Sequence, residues 1–304
     1  MKFGFSANLT CTGAPVVDVA KAAEALGFES MWMGEHIIIP VENRAVRHGA
    51  PLPETYRHMP DPFVWLTAAA TVTKHIKLGT NVCLIPQRNP LLLAKTIASL
   101  DHISGGRVIL GAGAGWIEEE APVMGYAFKQ RWTKTMESLC AMKKLWTEEE
   151  PSFSGAHVSF PKVYSYPKPV QKPHPPILIG AGNPSSNTLY GMKRVVELGD
   201  GWLPAFFDPP QMKSELKKLK DLCAQAGRDF AALDISLLVP AVNLGVGEKF
   251  ASMGAIEAAP RDPAELVAEY AEAGVKRLLI GFVDLTAETG VKVLEKAAKT
   301  LKLH

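Results

Sequence analysis

A surplus of one charge, clustered cysteine and long apolar runs are all missing from this chain. Lysine and arginine number 33 against 31 aspartates and glutamates, so no net field steers the surface toward nucleic acid or an anionic membrane. The four cysteines, Cys11, Cys83, Cys140 and Cys223, stand far apart and form no C-x-x-C pair. A disulfide framework and a zinc site are therefore not expected, no metal is assigned, and a reducing cytoplasm is the expected compartment. No apolar run approaches the ~20 residues of a membrane span. The opening MKFGFSANLT carries one lysine and no apolar stretch of signal-peptide length, so export is not expected. The H-E-x-x-H, G-x-S-x-G and phosphate-loop patterns are absent too, which leaves metal-hydrolase, serine-hydrolase and NTPase chemistry without support.

What is present is length, apolar content and rhythm. With 304 residues and 47% hydrophobic content, the chain fits one large domain or two small ones, and a single domain over residues 1–304 is expected. AEALGFESMWMG, VVELGDGWLP and AEAGVKRLLIG each read as helix, glycine, strand, with Gly27, Gly199 and Gly274 as the helix stops. That recurring return argues for a repeated β/α unit. Strands are expected near residues 3, 31, 78, 108, 178, 202, 237 and 279. Eight strands alternating with helices predict a (β/α)8 TIM barrel, with an open doubly wound sheet as the alternative.

Two stretches break the rhythm. Residues 37–60, after strand 2, mix Pro40, Pro51, Pro53 and Pro60 with Arg44, Arg47, His48 and Arg57. A long irregular segment directly past a strand end predicts a lid. Residues 148–176, before strand 5, are rich in proline and aromatics, and Phe153 to Phe160 predict an inserted hairpin.

The stretch KLGTNVCLIPQRNPLLLAKTIASLDHISGGRVILGAGAGW, residues 77–116, reads as strand, helix, strand, then a turn through Gly111-Ala112-Gly113-Ala114-Gly115. A second small-residue turn runs from Gly180 to Ser186 into a helix. Glycine lets backbone N–H groups approach a ligand, and a helix N-terminus suits an anion. Together the turns predict a clamp on a phosphate-bearing cofactor. The plainer alternative is two tight turns whose glycines serve packing. G-x-G-x-G without a following acid is not the dinucleotide fingerprint. His36, preceded by Glu35, follows the second strand directly and is a natural proton donor or acceptor; a structural histidine is the alternative. Asp101 and His102 read as structural. Glu118, Glu119 and Glu120 read as complements to a helix dipole.

LGTNV, P-x-R-N-P, LDHISGGR and LGAGAGW, in that order, resemble the luciferase-like flavin and deazaflavin oxidoreductases, in particular the branch that uses coenzyme F420. The resemblance covers nearly the whole chain. It implies a barrel with the cofactor ring across its strand ends and hydride transfer between F420 and a small organic substrate. It implies Thr80, Asn81 and Val82 behind the ring, with a non-prolyl cis peptide at Asn81–Val82. Gly113, Ala114, Gly115 and Trp116, with Gly182 and Asn183, match the cofactor-phosphate segments. Glu35 and His36 match the catalytic acid–histidine pair, and the lid residues Arg44, Arg47, Tyr56 and Arg57 would select the substrate. Two departures stand out: Ala114 and Pro40 replace an acid and a tryptophan of the sugar-phosphate dehydrogenases, which disfavours glucose 6-phosphate. An FMN-dependent monooxygenase, fed reduced flavin by a separate reductase, is the alternative. A barrel that binds flavin without catalysis is another. The resemblance further implies a homodimer.

Overall fold

Short apolar strands separated by amphipathic helices bury themselves by closing into a ring. The computed structural model describes residues 1–47, 50–246, 261–282 and 285–303. Its barrel strands are β1 (Lys2–Ala7), β2 (Ser30–Met33), β3 (Lys77–Thr80), β4 (Val108–Gly113), β5 (Ile177–Ile179), β6 (Gly201–Trp202), β7 (Asp234–Pro240) and β8 (Arg277–Phe282). Each lies parallel to the next, β8 pairs with β1, and β5 pairs with β4. The ring is thus complete, and the open-sheet alternative falls. Around it stand α1 (Val16–Ala25), α2 (Pro62–Val72), α3 (Pro90–Ser104), α4 (Arg131–Thr147), α5 (Thr188–Leu198), α6 (Pro209–Gln225), α7 (Pro263–Ala273) and α8 (Gly290–Leu301). This is the TIM barrel that the strand count predicts.

Local chemistry starts and stops these helices. Asp61, Asn89, Asp208 and Asp262 each accept from first-turn N–H groups, and a proline follows each. The three helix-stop glycines are not alike. Gly27 and Gly274 adopt φ of 81° and 104°. Gly199 is extended, and a Cβ there would lie 2.8 Å from Ile179 Cγ1. Its glycine serves close approach to the barrel wall, not a left-handed cap. Helix α8 starts at Gly290, after a turn that opens at Thr286. That turn bonds Thr289 N–H to Thr286 Oγ1.

The barrel interior is filled by Trp32, Ile109, Leu178, Leu203 and Leu279. So large a side chain as Trp32 fits because Gly79 faces it; a Cβ on Gly79 would sit 2.3 Å from the indole. The Trp32 Nε1–H donates to Ser30 Oγ at 2.8 Å. At the N-terminal strand ends, buried Arg277 donates to Glu29 at 2.8 and 2.9 Å, to Asp234 at 2.7 Å and to Ser236 Oγ at 2.7 Å. This paired polar plug seals one end and leaves the C-terminal end for a ligand.

The inserted hairpin forms as expected, Phe153–Ser154 against Ser159–Phe160. In the segment after β2, Val46–Arg47 pairs with Ala50–Pro51, and Glu54–His58 makes a helical turn. His48 lies outside the described residues. Among the described residues no helix is long and apolar enough to cross a membrane.

Candidate active site

Strand β2 delivers Glu35 and His36 to the C-terminal mouth of the barrel. His36 is buried, and its Nδ1 lies 2.6 Å from Glu120 Oε1. Glu120 is itself fully buried, and Gln87 Nε2 donates to its other oxygen at 2.7 Å. In the tautomer that donates from Nδ1 to this carboxylate, Nε2 is the nitrogen left for a proton exchange. Nε2 meets no protein partner among the described residues. The imidazole packs beside Tyr56, ring centroids 5.1 Å apart, and meets Trp116 edge-on at 6.0 Å.

Glu35 faces elsewhere. Its Oε2 accepts from Leu84 N–H at 2.6 Å, and Oε1 accepts from Arg88 Nε at 2.8 Å. Arg88 also reaches Asp61 at 2.7 Å and lies over the Phe63 ring. Burial depresses the basicity of Arg88, but the bond and charge of Glu35 outweigh it and hold the guanidinium well above the usual range. The acid–histidine pair expected from adjacent residues therefore does not form. Glu35 and Arg88 instead pin the chain that follows β3.

That chain bulges. Strand β3 stops at Thr80, the Asn81–Val82 peptide is cis, and Cys83–Leu84 resumes pairing beside Ala112 and Gly113. Thr80 is buried and its hydroxyl donates to Gly111 O at 2.8 Å, while Asn81 Nδ2 donates to Ser6 Oγ at 3.0 Å. Val82 fills the gap between two glycines. A Cβ on Gly113 would lie 2.4 Å from Val82 Cγ2, and one on Gly180 would lie 2.3 Å from Val82 Cγ1. Strands β4 and β5 run in register, Ala112 opposite Ile179. The two glycine turns accordingly leave adjacent strands at one height on the same rim.

Beyond the rim, Gly115 and Gly182 adopt φ of 82° and 102°. The N–H groups of Gly115, Trp116 and Gly182 meet no protein acceptor among the described residues. Unpaired N–H groups on two facing turns fit a phosphate. Ala114 is buried beside them. Asn183 spends its polar atoms inside its own turn: its N–H donates to Ser186 Oγ, and its side chain accepts from Ser185 N–H.

Residues 6–245 match the luciferase-like monooxygenase family. The chain belongs to that family. An uncharacterized protein of Mycobacterium tuberculosis is 34% identical over 305 residues, covering 99% of both chains. An F420-dependent glucose-6-phosphate dehydrogenase of Nakamurella multipartita is 30% identical over 241 residues, 77% of this chain and 65% of that protein. Two solved structures share the fold at a TM-score of 0.73. The monooxygenase RslO1 from Streptomyces bottropensis, at 21% identity, covers 99% of both chains. An F420-dependent secondary alcohol dehydrogenase in complex with an F420-acetone adduct, at 20% identity, covers 99% of this chain and 98% of that one.

In this luciferase-like barrel the residues expected in the lid do not all face the site. Tyr56 is buried against His36. Arg44 is exposed, yet its backbone N–H and its Nε donate to Glu119 at 2.9 and 3.2 Å. Arg57 faces solvent, and Arg47 lies in the short lid strand. Glu120 and Gln87 were not legible as site residues. The run Glu118-Glu119-Glu120 looks like a solvated helix start, but only Glu120 lies in the first turn of the short helix Glu120–Val123, while Glu119 accepts from Arg44. The third glutamate alone turns inward. Trp116, expected at the cofactor phosphate, also sets its edge against His36.

Proposed function

We propose that this luciferase-like barrel is an F420-dependent oxidoreductase that exchanges a hydride between the deazaflavin and a small organic molecule. The observation that carries the reading is the buried pair of His36 and Glu120 at the barrel mouth. The F420-dependent sequence relative supports the choice of cofactor. So does the way the chain makes good its two departures. Ala114 and Pro40 remove a carboxylate and an indole, and the segment after β4 returns both, as Glu120 and Trp116, against the same histidine.

When bound, the deazaflavin supplies a two-electron hydride donor or acceptor. The chain supplies the rest. Val82, wedged between Gly113 and Gly180, gives the ring a flat apolar backing. The turns at Gly115 and Gly182 hold the ribityl phosphate through their free N–H groups. His36 Nε2 gives or takes the proton that accompanies the hydride, and Glu120 fixes the tautomer and stabilises the imidazolium. Glu35 is a positioning residue that ties the bulge after β3 to Arg88. Tyr56 closes the lid side of the site against water.

A second reading, an FMN-dependent monooxygenase, is favoured by the same free N–H groups, because FMN ends in the phosphate they fit. Titrating apoprotein with F420 and with FMN, followed by fluorescence, separates the two. Tight F420 binding with weak FMN binding is expected. The reverse order overturns the proposal in favour of the monooxygenase, and saturable binding of F420 without turnover across a panel of alcohols, ketones and enones leaves a binding barrel.

A further inference from the structure

The outer wall of the mouth, where the segment after β4 meets α5, carries three cations that the hydride chemistry does not use. Arg131 and Lys134 stand on the first turns of α4, and Arg194 stands on α5. All three are half-buried. Each lies on an aromatic face: Arg131 over Phe128 at 3.8 Å, Lys134 over Tyr126 at 5.0 Å and Arg194 over Trp132 at 4.4 Å. None of them forms an ion pair with a carboxylate among the described residues. The Nε–H of Arg131 is buried without an acceptor.

Such an arrangement is costly unless something completes it. Burial depresses the basicity of Arg131, Lys134 and Arg194 alike, and Arg194 is further depressed by the charge of Arg131. The acids nearest in charge terms, Glu118 for Arg131 and Glu197 for Arg194, are exposed and stand beyond ion-pair distance. Ring faces hold the cations in place and offset part of the desolvation. Arg131 Nη1 also donates to Phe128 O at 3.1 Å and Arg194 Nη1 to Tyr190 O at 2.7 Å, but no carboxylate among the described residues matches the three charges. The group begins where the phosphate clamp ends, since the Tyr126 hydroxyl lies 3.8 Å from the Cβ position of Gly115.

We propose that Arg131, Lys134 and Arg194 form an anion shelf for the lactyl-oligoglutamate chain that coenzyme F420 carries beyond its ribityl phosphate. The inference rests on the F420 reading and deepens it. FMN ends at its phosphate and reaches no further, so the shelf is also what would make the barrel prefer the deazaflavin cofactor. Several carboxylates spaced along a flexible chain match several cations spaced along a wall, and charge-assisted contacts of this kind are the strong ones.

The test uses three deazaflavins that share one ring: the riboflavin analogue without phosphate, F420 without glutamates, and F420 with several glutamates. Dissociation constants come from quenching of their fluorescence at low and high salt. In wild-type protein the glutamylated form should bind about tenfold more tightly than the form without glutamates at low salt. High salt should erase most of that ratio. Arg131→Met and Arg194→Met should each bring it toward unity. Lys134→Gln provides the same reading should an arginine variant fail to fold. Equal affinity for F420 with and without glutamates, or a tail preference that survives these substitutions, overturns the shelf while leaving the F420 reading intact. Binding of FMN with no binding of any deazaflavin overturns both.

Discussion

The imidazole of His36 and the carboxylate of Glu120 meet at 2.6 Å across 84 residues of chain. One arrives from the end of β2, the other from the segment after β4. The barrel closes that distance by placing their strands on one rim. Glu120 bonds His36 and Gln87, and the proposed reading makes it the group that holds His36 in one tautomer and balances an imidazolium. Glu120→Gln keeps the shape and removes the charge. Its kcat should fall by about 100-fold, with the dissociation constant of the cofactor little changed. A kcat within twofold of wild type would refute the assignment, and a thermal melt checks that the variant folds.

Val82 and its two glycines make a second prediction. A methyl on Gly113 would overlap Val82 Cγ2 at 2.4 Å. Gly113→Ala should therefore cost about 1–3 kcal/mol of stability by overpacking and weaken cofactor binding. Val82→Ala vacates the space. The double variant should recover most of the loss, an interaction that a double-mutant cycle measures directly. Additive losses would mean that the wedge is not what the glycine is for.

These two sites differ in how far the sequence reveals them. The eight strands are legible because they rest on local patterns, apolar runs and glycine stops, whereas the bulge at Asn81–Val82 is implied only by the family resemblance that LGTNV helps to carry. Like the strands, the glycine turns are legible for that local reason. Glu35 is misleading for a related one. Adjacency to His36 suggests partnership, yet neighbouring side chains at a strand end point apart, and only the fold shows that Glu35 turns to Leu84 and Arg88. Glu120 is hidden because no spacing rule joins residue 36 to residue 120. Its neighbours, exposed Glu118 and half-buried Glu119, suggest a surface explanation for the run. The cation shelf is hidden likewise, since Arg131 and Arg194 meet only across two helices.

Arg88 anchors the bulge after β3 by pairing with Glu35 and Asp61. Replacing it with methionine strands a carboxylate that is almost wholly buried. Removing one partner of a buried pair costs about 3–5 kcal/mol. Arg88→Met should lose stability on that scale in urea unfolding. The companion Arg88→Met, Glu35→Gln should be more stable than Arg88→Met alone, because the orphaned charge has gone. If Arg88→Met unfolds at the wild-type urea midpoint, the anchor is not structural.

At the opposite end of the barrel, Glu29 gives a prediction in pH. Burial works to raise its pKa, but the hydrogen bonds and charge of Arg277 prevail and hold it below the ordinary 4.5. A carboxyl whose folded value is depressed stabilises the native state fully above its unfolded value. That contribution is lost as the pH falls through the folded value, because the unfolded chain takes up the proton first. Glu29→Gln removes the titration. The gap in melting temperature between wild type and Glu29→Gln should be widest near neutrality and should shrink steadily once the pH drops below 4.5. A gap that stays constant to about pH 3 would show that Glu29 is held by packing and neutral hydrogen bonds, with the Arg277 charge contributing nothing.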